Sequence, residues 1–196
     1  IPKHATNEEI LCRVNLNLFI LELVDEIRDS ANRDYLTKIY NRRYFYEWAQ
    51  ELFRARADSG GTLIVAMADI DHFKNVNDTY GHHVGDVVIQ SLANILKDHV
   101  GDLGLVARFG GEEFCMMLVR TPPQGVAQFF ESLRKIVEDT TVEATNKTVD
   151  FTISVGVNTL LHNTLDDTIN IADQMLYNAK ENGRNRVHIR DLTTPP

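Results

Sequence analysis

A nearly continuous apolar run from Thr62 to Ala68 ends abruptly at Asp69. Strands without alternation of polar and apolar residues are typical of the interior of a sheet that is covered on both faces. The sequence therefore predicts a strand buried on both faces, with a carboxylate at the point where the strand gives way to a loop.

The elements after this strand follow an order that restricts the fold. In chain order, apolar patterns and turn signals predict a helix over Val84–His99, a hairpin of strands over Leu105–Phe109 and Phe114–Val119, a helix from Pro122-Pro123 to about Asp139, a strand over Val149–Val157, a helix over Asp166–Glu181 and a last strand over Arg186–Ile189. The order is β-α-β-β-α-β-α-β, and its first six elements match the ferredoxin-like unit. We therefore predict an α/β (α+β) fold with a ferredoxin-like βαββαβ core.

The N-terminal part has a different pattern. Asn7 to about Ser30 is predicted to be a helix because apolar residues recur there at spacings of three and four. Its apolar stripe is wide, which leaves two interpretations open: a helix packed on its own domain, or a signalling helix that pairs with a second subunit. A polar connector over Asn32–Asn41 and an amphipathic helix over Arg42–Asp58 are predicted to follow.

Composition limits the classes of function. The chain has 196 residues and a formal net charge of −8, so its surface as a whole does not attract nucleic acid or an anionic membrane. The two cysteines lie far apart, at Cys12 and Cys115, which indicates a reducing compartment rather than a disulfide framework. The most apolar N-terminal stretch, Val14–Val24, is shorter than the roughly 20 residues of a membrane-spanning helix.

From these features we expect a cytoplasmic domain without a membrane segment of its own. The sequence begins at Ile1 with no initiator Met and no signal-peptide pattern, and we expect it to be part of a longer protein that a membrane could anchor.

Two acidic sites carry the chemistry that the residues themselves suggest. Asp69 leaves the end of the buried strand, with Asp71 two positions later; such a carboxylate serves a metal or catalysis, or caps the next turn. The hairpin turn Gly110-Gly111-Glu112-Glu113 combines glycines that let a phosphate approach the backbone with two further carboxylates. In a β-α-β-β unit these two places can be neighbours, so Asp69 and Glu112 could share Mg²⁺, which binds one or two carboxylates together with substrate phosphates.

Four ordered runs resemble the signature of GGDEF domains, and the resemblance covers roughly Arg33 to Arg190. The runs are Arg33-Asp-Tyr-Leu-Thr-Lys-Ile-Tyr-Asn-Arg-Arg43, Asp69-Ile-Asp-His-Phe-Lys-Asn-Val-Asn-Asp-Thr-Tyr-Gly-His-His-Val-Gly-Asp86, Arg108-Phe-Gly-Gly-Glu-Glu-Phe114 and Ala179-Lys-Glu-Asn-Gly-Arg-Asn-Arg-Val187. Four motifs in this order make a chance match negligible. The resemblance implies a diguanylate cyclase, which joins two GTP molecules into cyclic di-GMP and releases two pyrophosphates.

The resemblance also implies a metal site. Asp69, the Ile70 carbonyl and Glu112 match the ligands of two Mg²⁺ ions at the triphosphate of each half-site, with Mn²⁺ as an alternative ion. Two cations can steady the attacking 3′ oxygen and the α-phosphate together. For deprotonation of the 3′-hydroxyl, Glu113 and Glu112 are both candidates, and the sequence does not rank them.

The remaining motif positions are implied to bind GTP. Lys74, Lys180 and Arg184 match the positions that contact the phosphates, with the Phe73 and Lys74 backbone beside them, and Lys74 is also implied to stabilise charge during the reaction. Asn77 and Asp86 match the positions that recognise guanine, since a carboxylate accepts from its N1–H and amino groups. His82 matches the motif histidine that holds the loop next to the nucleotide.

We divide the chain into an N-terminal signalling or dimerisation helix over residues 1–31, a GGDEF domain over 32–191 and a tail over 192–196. Because each subunit would hold one half-site, we expect the active species to be a homodimer, controlled by an upstream sensor domain in the full-length protein. The alternatives are a GTP-binding or partner-binding module without turnover, and a cyclase of mixed purine products. The intact Gly-Gly-Glu-Glu turn argues against a module without turnover. Asp86 argues against a cyclase of mixed purine products.

One departure from the family pattern bears on regulation. Many members carry Arg-x-x-Asp five residues before the Gly-Gly pair, which forms an inhibitory product site. Here the corresponding residues are Gly101-Asp-Leu-Gly104. Both charged anchors are replaced by glycine, so we expect this inhibitory site to be absent or weak.

Overall fold

The computed structural model describes residues 6–59, 63–119, 121, 123–144, 147–160 and 164–190. The chain divides into two compact units, Ile1–Arg33 and Asp34–Pro196.

The first unit contains one long helix, α1, over Asn7–Asn32. The Thr6 side chain accepts from the Glu9 backbone N–H while the Glu9 carboxylate accepts from the Thr6 N–H, so a capping box begins the helix. The predicted helix is confirmed, with its end two residues later than expected. None of the described residues of α1 is buried. No helix in the described part of the chain is long and apolar enough to cross a membrane.

The second unit holds the remaining helices and strands. In chain order these are β1 (Tyr40–Asn41), α2 (Arg42–Ser59), β2 (Ile64–Ile70), α3 (Phe73–Tyr80), α4 (His82–Val100), β3 (Gly104–Gly110), β4 (Glu113–Leu118), α5 (Val126–Glu138), β5 (Thr141–Ala144), β6 (Lys147–Asp150), β7 (Ile153–Asn158), α6 (Leu165–Glu181) and β8 (Val187–Arg190).

The main sheet has the strand order β1-β3-β4-β2-β7-β8. Its four central strands are antiparallel to one another, while β1 and β8 lie at the two edges and run parallel to β3 and β7, respectively. The order β3-β4-β2-β7 is that of a ferredoxin-like sheet, which confirms the predicted fold class.

Strand β2 lies at the centre of this sheet and every residue in it is buried. Ile64, Ala66, Ala68 and Ile70 pack into a core with α4 and α5, whereas Val65 and Met67 pack into a core with α2 and α6. Because successive side chains of a strand point to opposite faces, a strand covered on both sides needs apolar residues at every position. The prediction of a buried strand is therefore confirmed, although Thr62 lies outside the described residues.

The structure differs from several of the predicted elements. The expected single strand Val149–Val157 is broken: β6 forms a separate hairpin with β5, and β7 begins at Ile153. Val149, Phe151 and Ile153 are all buried, so the alternation continues through the bend and does not reveal it. The expected polar connector Asn32–Asn41 contains β1, and the short helix α3 was not predicted.

The helix expected to begin at Pro122-Pro123 starts later. A 3₁₀ turn occupies Pro123–Gly125, and α5 begins at Val126 and ends at Glu138; Pro122 lies outside the described residues.

Candidate active site

Asp69 lies near the end of β2, where its neighbours across the sheet are Glu113 of β4 and Ser154 of β7. Its side chain is only 7% exposed, and its Oδ2 accepts a hydrogen bond from Lys180 Nζ at 2.8 Å. Burial raises the pKa of Asp69 to about 6; the Lys180 ammonium opposes this rise, and the charges of Glu112 and Glu113 add to it. The charges of Glu112 and Glu113 therefore reach Asp69 at this end of β2.

Lys180 reaches this place because α6 packs very closely on β7. A Cβ on Gly156 would lie 2.0 Å from the Leu176 backbone nitrogen and 2.2 Å from the Ala172 carbonyl oxygen, so only glycine permits this approach. The helix continues to Glu181 and brings Lys180, in its last turn, over the end of β2. Sequence reasoning assigned Lys180 to phosphates and did not foresee its ion pair with Asp69.

The turn between β3 and β4 presents the Gly-Gly-Glu-Glu residues. Gly111 has φ +47°, and apart from its chain neighbours no described residue has an atom within 4 Å of the Cβ position of either Gly110 or Gly111, so the turn backbone is open to a ligand. Glu112 is half-buried and Glu113 is exposed. This geometry brings Glu112 and Glu113 into electrostatic range of Asp69, as the sequence predicted for Asp69 and Glu112.

An ion pair that the sequence analysis missed holds this turn. Arg108 donates from Nε and Nη2 to the Gly111 carbonyl oxygen at 2.9 and 2.7 Å, and from Nη1 to Asp34 Oδ1 at 3.0 Å. The same Asp34 oxygen accepts from the backbone N–H and hydroxyl of Thr37. Burial alone would raise the pKa of Asp34, but the hydrogen bonds from Thr37 and Arg108 lower it below its usual value. The first and third family motifs are thus joined.

Helix α3 carries several of the predicted nucleotide-binding residues. Phe73 is buried at its start, Lys74 is exposed, and Asn77 lies one turn further on. The Asn77 Oδ1 atom is buried and has no hydrogen-bond partner among the described residues. A buried carbonyl oxygen without a donor is unfavourable, so this atom is available for a ligand's N–H group.

A glycine of the next helix makes room for Asn77. A Cβ on Gly85 would lie 2.0 Å from Asn77 Oδ1 and 3.2 Å from the Phe73 ring. Two more predicted residues, His82 and Asp86, are on α4 and exposed.

Arg184 follows α6 in a left-handed backbone conformation, with φ 63°. Its Nη1 lies 3.4 Å from the Lys180 carbonyl oxygen. Both cations therefore belong to one short segment at the end of α6.

The donor set fits a divalent cation. Within the described residues no three His, Cys, Asp or Glu side chains are grouped as a metal site, so protein side chains alone do not complete one. Asp69, the Ile70 carbonyl and Glu112 would hold the ion together with ligand phosphates, which is the usual mode for Mg²⁺. Burial raises the pKa of Asp69 and the charges of Glu112 and Glu113 add to that rise; a cation bound beside this carboxylate would act in the opposite direction, as Lys180 does.

Comparison with known proteins identifies the family. The family model "Diguanylate cyclase, GGDEF domain" matches residues 31–186. Diguanylate cyclase A of Treponema denticola is 35% identical over 175 residues, covering 87% of this chain and 47% of that protein. The probable diguanylate cyclase DgcT of Escherichia coli is 39% identical over 170 residues, covering 84% of this chain and 37% of that protein. The chain thus spans less than half the length of these two relatives.

A solved structure also matches the fold. The coiled coil and GGDEF domain of DgcB from Caulobacter crescentus, in complex with c-di-GMP, superposes with a TM-score of 0.85 at 30% identity. The match covers 93% of this chain and 98% of that one. On these grounds the chain belongs to the GGDEF diguanylate cyclase family.

Proposed function

We propose that this domain is a diguanylate cyclase that condenses two GTP molecules into cyclic di-GMP and two pyrophosphates. The observation that carries the proposal is the grouping of Asp69, Glu112 and Glu113 beside Lys180 at one edge of the sheet. A reaction that joins nucleotides needs cations that bind the phosphates and a group that accepts the hydroxyl proton. The end of β2 offers both cationic and carboxylate side chains. Family membership supports the same reaction.

In the proposed reaction the 3′-hydroxyl oxygen of one GTP forms a bond to the α-phosphorus of the other. The bond from that phosphorus to the oxygen that bridges the α- and β-phosphates breaks, and pyrophosphate leaves. A second, equivalent step closes the ring. Glu112 or Glu113 accepts the hydroxyl proton in each step. Bound Mg²⁺, with Mn²⁺ as an alternative, would be held by Asp69, Ile70 and Glu112 and would neutralise charge on the phosphates.

The chain's own cations bind the rest of the triphosphate in this proposal. Lys74 on α3 and Arg184 after α6 would contact phosphate oxygens, the first as a point charge and the second as a fork. Lys180 would exchange its contact with Asp69 for a phosphate oxygen when metal and nucleotide arrive. The backbone beside Phe73 lies at the start of the same helix α3.

Guanine recognition is assigned to α3 and α4. The buried Asn77 Oδ1, which has no partner within the described structure, would accept from the guanine amino group. Asp86 would accept from N1–H, which adenine lacks. The exposed His82 would lie beside the base-binding loop between these helices.

We propose that two copies of the chain form the active species. One chain supplies one half-site, and two nucleotides must meet with near-attack geometry. Of the two interpretations open for α1, we propose pairing with a second copy, because α1 forms a compact unit by itself and nothing in the described part of that unit covers its wide apolar stripe. The large apolar residues exposed on α1 are Ile10, Leu11, Val14, Leu16, Leu18, Phe19, Ile20, Leu21, Leu23, Val24 and Ile27. The matching DgcB structure comprises a coiled coil as well as a GGDEF domain, which supports the same assembly.

The setting in the cell is part of the proposal. Both relatives extend well beyond the matched region, which supports control by a sensor domain elsewhere in the full-length protein. Cys12 and Cys115 are free thiols, in keeping with a reducing cytoplasm.

Concentration dependence tests the proposed dimeric cyclase. With GTP and Mg²⁺, pyrophosphate release is expected to rise faster than linearly with protein concentration, because catalysis needs two half-sites. A Leu18→Glu/Leu21→Glu variant should lower the rate at dilute concentration, whereas Arg28→Glu, outside the apolar stripe of the same helix, should not. Strictly proportional release by a protein that sedimentation shows to be monomeric would contradict the dimer.

A further inference from the structure

Asp71 lies two residues after Asp69, yet it serves a different purpose. Its side chain is buried, with the residue 5% exposed. Oδ1 accepts from the Ser154 hydroxyl at 2.6 Å, and Oδ2 accepts from the Thr152 hydroxyl at 2.7 Å and from the Asn185 backbone N–H at 2.9 Å. Both carboxylate oxygens are therefore engaged by the protein, and Asp71 anchors a segment 114 positions away along the chain.

That segment has a backbone that needs an anchor. Gly183, Arg184 and Asn185 have φ values of 111°, 63° and 44°, so three successive residues are left-handed. Residues other than glycine rarely adopt this region, and they remain there only when surrounding contacts hold them. The bond from the Asn185 N–H to Asp71 is one such contact. The Gly183 and Arg184 N–H groups also bond to the Lys180 and Ala179 carbonyl oxygens.

The Asn185 side chain supplies two further contacts, both to helix α5. Its Oδ1 accepts from Arg134 Nη1 at 2.7 Å, and its Nδ2 donates to Glu138 Oε1 at 2.7 Å. Arg134 Nη1 also donates to Glu138 Oε2 at 3.1 Å, so Asn185, Arg134 and Glu138 are all hydrogen-bonded to one another. The Arg134 side chain is only 12% exposed. Its Nη1 faces this cluster, while its Nε and Nη2 contact Glu131 Oε1 at 2.8 and 2.7 Å.

The segment that Asp71 and α5 hold lies next to two residues proposed to bind phosphates, Arg184 within it and Lys180 just before it. Arg184 directly precedes Asn185, and its Nη1 contacts the carbonyl of Lys180. Lys180 in turn reaches Asp69. A change in the path of residues 183–186 would therefore move both cations relative to the carboxylates at the end of β2.

We propose that Asp71, Asn185, Arg134 and Glu138 are positioning residues that fix the 183–186 segment and so aim Arg184 and Lys180 at the triphosphate. They do not touch the nucleotide themselves. This inference rests on the proposed function, because it concerns how that site binds its phosphates.

Asn185→Gly is the most informative variant. Glycine tolerates the left-handed backbone and keeps the N–H that bonds Asp71, while both side-chain bonds to α5 are lost. Ser132→Ala is the matched control, because it removes a hydrogen bond on the same helix α5, to the Phe129 carbonyl, away from the segment. Glu138→Gln keeps an acceptor for Asn185, so its affinity for a nucleotide triphosphate should fall less than that of Glu138→Ala.

The measurement compares two ligands in the presence of Mg²⁺: 3′-deoxy-GTP, which cannot react, and guanosine, which has no phosphates. Asn185→Gly should bind 3′-deoxy-GTP roughly tenfold more weakly and guanosine unchanged, since misplaced cations affect only phosphate binding. Amide hydrogen exchange of residues 183–186 without nucleotide should be faster than in wild type and in Ser132→Ala. If Asn185→Gly does not fold, Arg134→Met is measured in the same way.

Unchanged 3′-deoxy-GTP affinity in a folded variant whose segment exchanges faster would overturn the positioning role. Equal weakening of both ligands would also overturn it, because that result indicates a general loss of structure. If the wild-type protein binds no 3′-deoxy-GTP, the proposed function fails first, and this inference fails with it.

Discussion

The Lys180 ammonium lies 2.8 Å from Asp69 Oδ2. A residue proposed to bind phosphate therefore forms an ion pair with a residue proposed to bind the metal. The contact is favourable because Asp69 is buried and its neighbours Glu112 and Glu113 are also acidic. In the state described, Lys180 supplies the positive charge that a metal would bring. A metal bound in the proposed way would therefore compete with Lys180 for the same carboxylate.

Lys180→Met should separate the two roles of this residue. Without the ammonium, Mn²⁺ should bind the nucleotide-free protein a few-fold more tightly, because the carboxylates lose their internal counter-charge. The KM for GTP should rise roughly tenfold, since a charged hydrogen bond to phosphate is lost. Electron paramagnetic resonance of bound Mn²⁺ measures the first effect and steady-state kinetics the second. Weaker Mn²⁺ binding would show that Lys180 does not compete with the metal.

Gly85→Ala should impair guanine recognition. The added methyl would lie 2.0 Å from Asn77 Oδ1, so the Asn77 side chain must move out of its buried position. We expect kcat/KM for GTP to fall and the preference for GTP over ATP to narrow. Gly125→Ala is the control, because no atom of the described residues other than its chain neighbours lies within 4 Å of its Cβ position. An unchanged GTP/ATP ratio in Gly85→Ala would mean that Asn77 does not contact the base.

Much of this site was predictable from the sequence, and the remainder has a physical explanation. Asp69 follows an apolar run and Glu112 follows two glycines, so local patterns identified them. The Asp34–Arg108 and Asp71–Asn185 contacts join residues 74 and 114 positions apart, and only the folded sheet brings them together. The break at Phe151 was missed because apolar alternation continues through it. Helix α3 was missed because it has only eight residues, and its two buried side chains, Phe73 and Val76, cover a single turn.

Stability should depend on Glu138 in acid. Hydrogen bonds from Lys135, Asn185 and Arg134 lower the pKa of Glu138 from 4.5 to about 2. A depressed pKa means that the ionised form stabilises the fold above pH 4.5, and this contribution is lost as the pH falls toward 2. The difference in unfolding free energy between wild type and Glu138→Gln, from urea titrations, should therefore shrink from pH 6 to pH 3. A constant difference over that range would contradict the assignment.

Product feedback should be weak, because Gly101 and Gly104 replace the charged anchors of the family's inhibitory site. Losing two charge-assisted contacts, at about 1.5–3 kcal/mol each, weakens binding by at least roughly tenfold. Micromolar cyclic di-GMP should therefore leave the initial rate nearly unchanged. Potent non-competitive inhibition would show that another basic surface has replaced the lost site.

The structure also limits how that site could be restored. A Cβ on Gly104 would lie 1.9 Å from the Met117 carbonyl oxygen, so Gly104→Asp requires the backbone of β3 to shift. The Gly101→Arg/Gly104→Asp pair should consequently lower the melting temperature and fail to create tight feedback. A stable double variant with strong product inhibition would contradict this geometric restriction.

The most direct test of the account is the identity of the product formed from GTP and Mg²⁺. Chromatography with mass detection should show cyclic di-GMP, with two pyrophosphates released per molecule. Glu112→Gln and Asp69→Asn should form none while retaining the wild-type melting temperature within a few degrees, and Asp98→Asn, an exposed carboxylate on α4, should behave as wild type. Cyclic di-GMP formation at a normal rate by folded Asp69→Asn, or its absence from the wild-type dimer, would contradict the proposed cyclase.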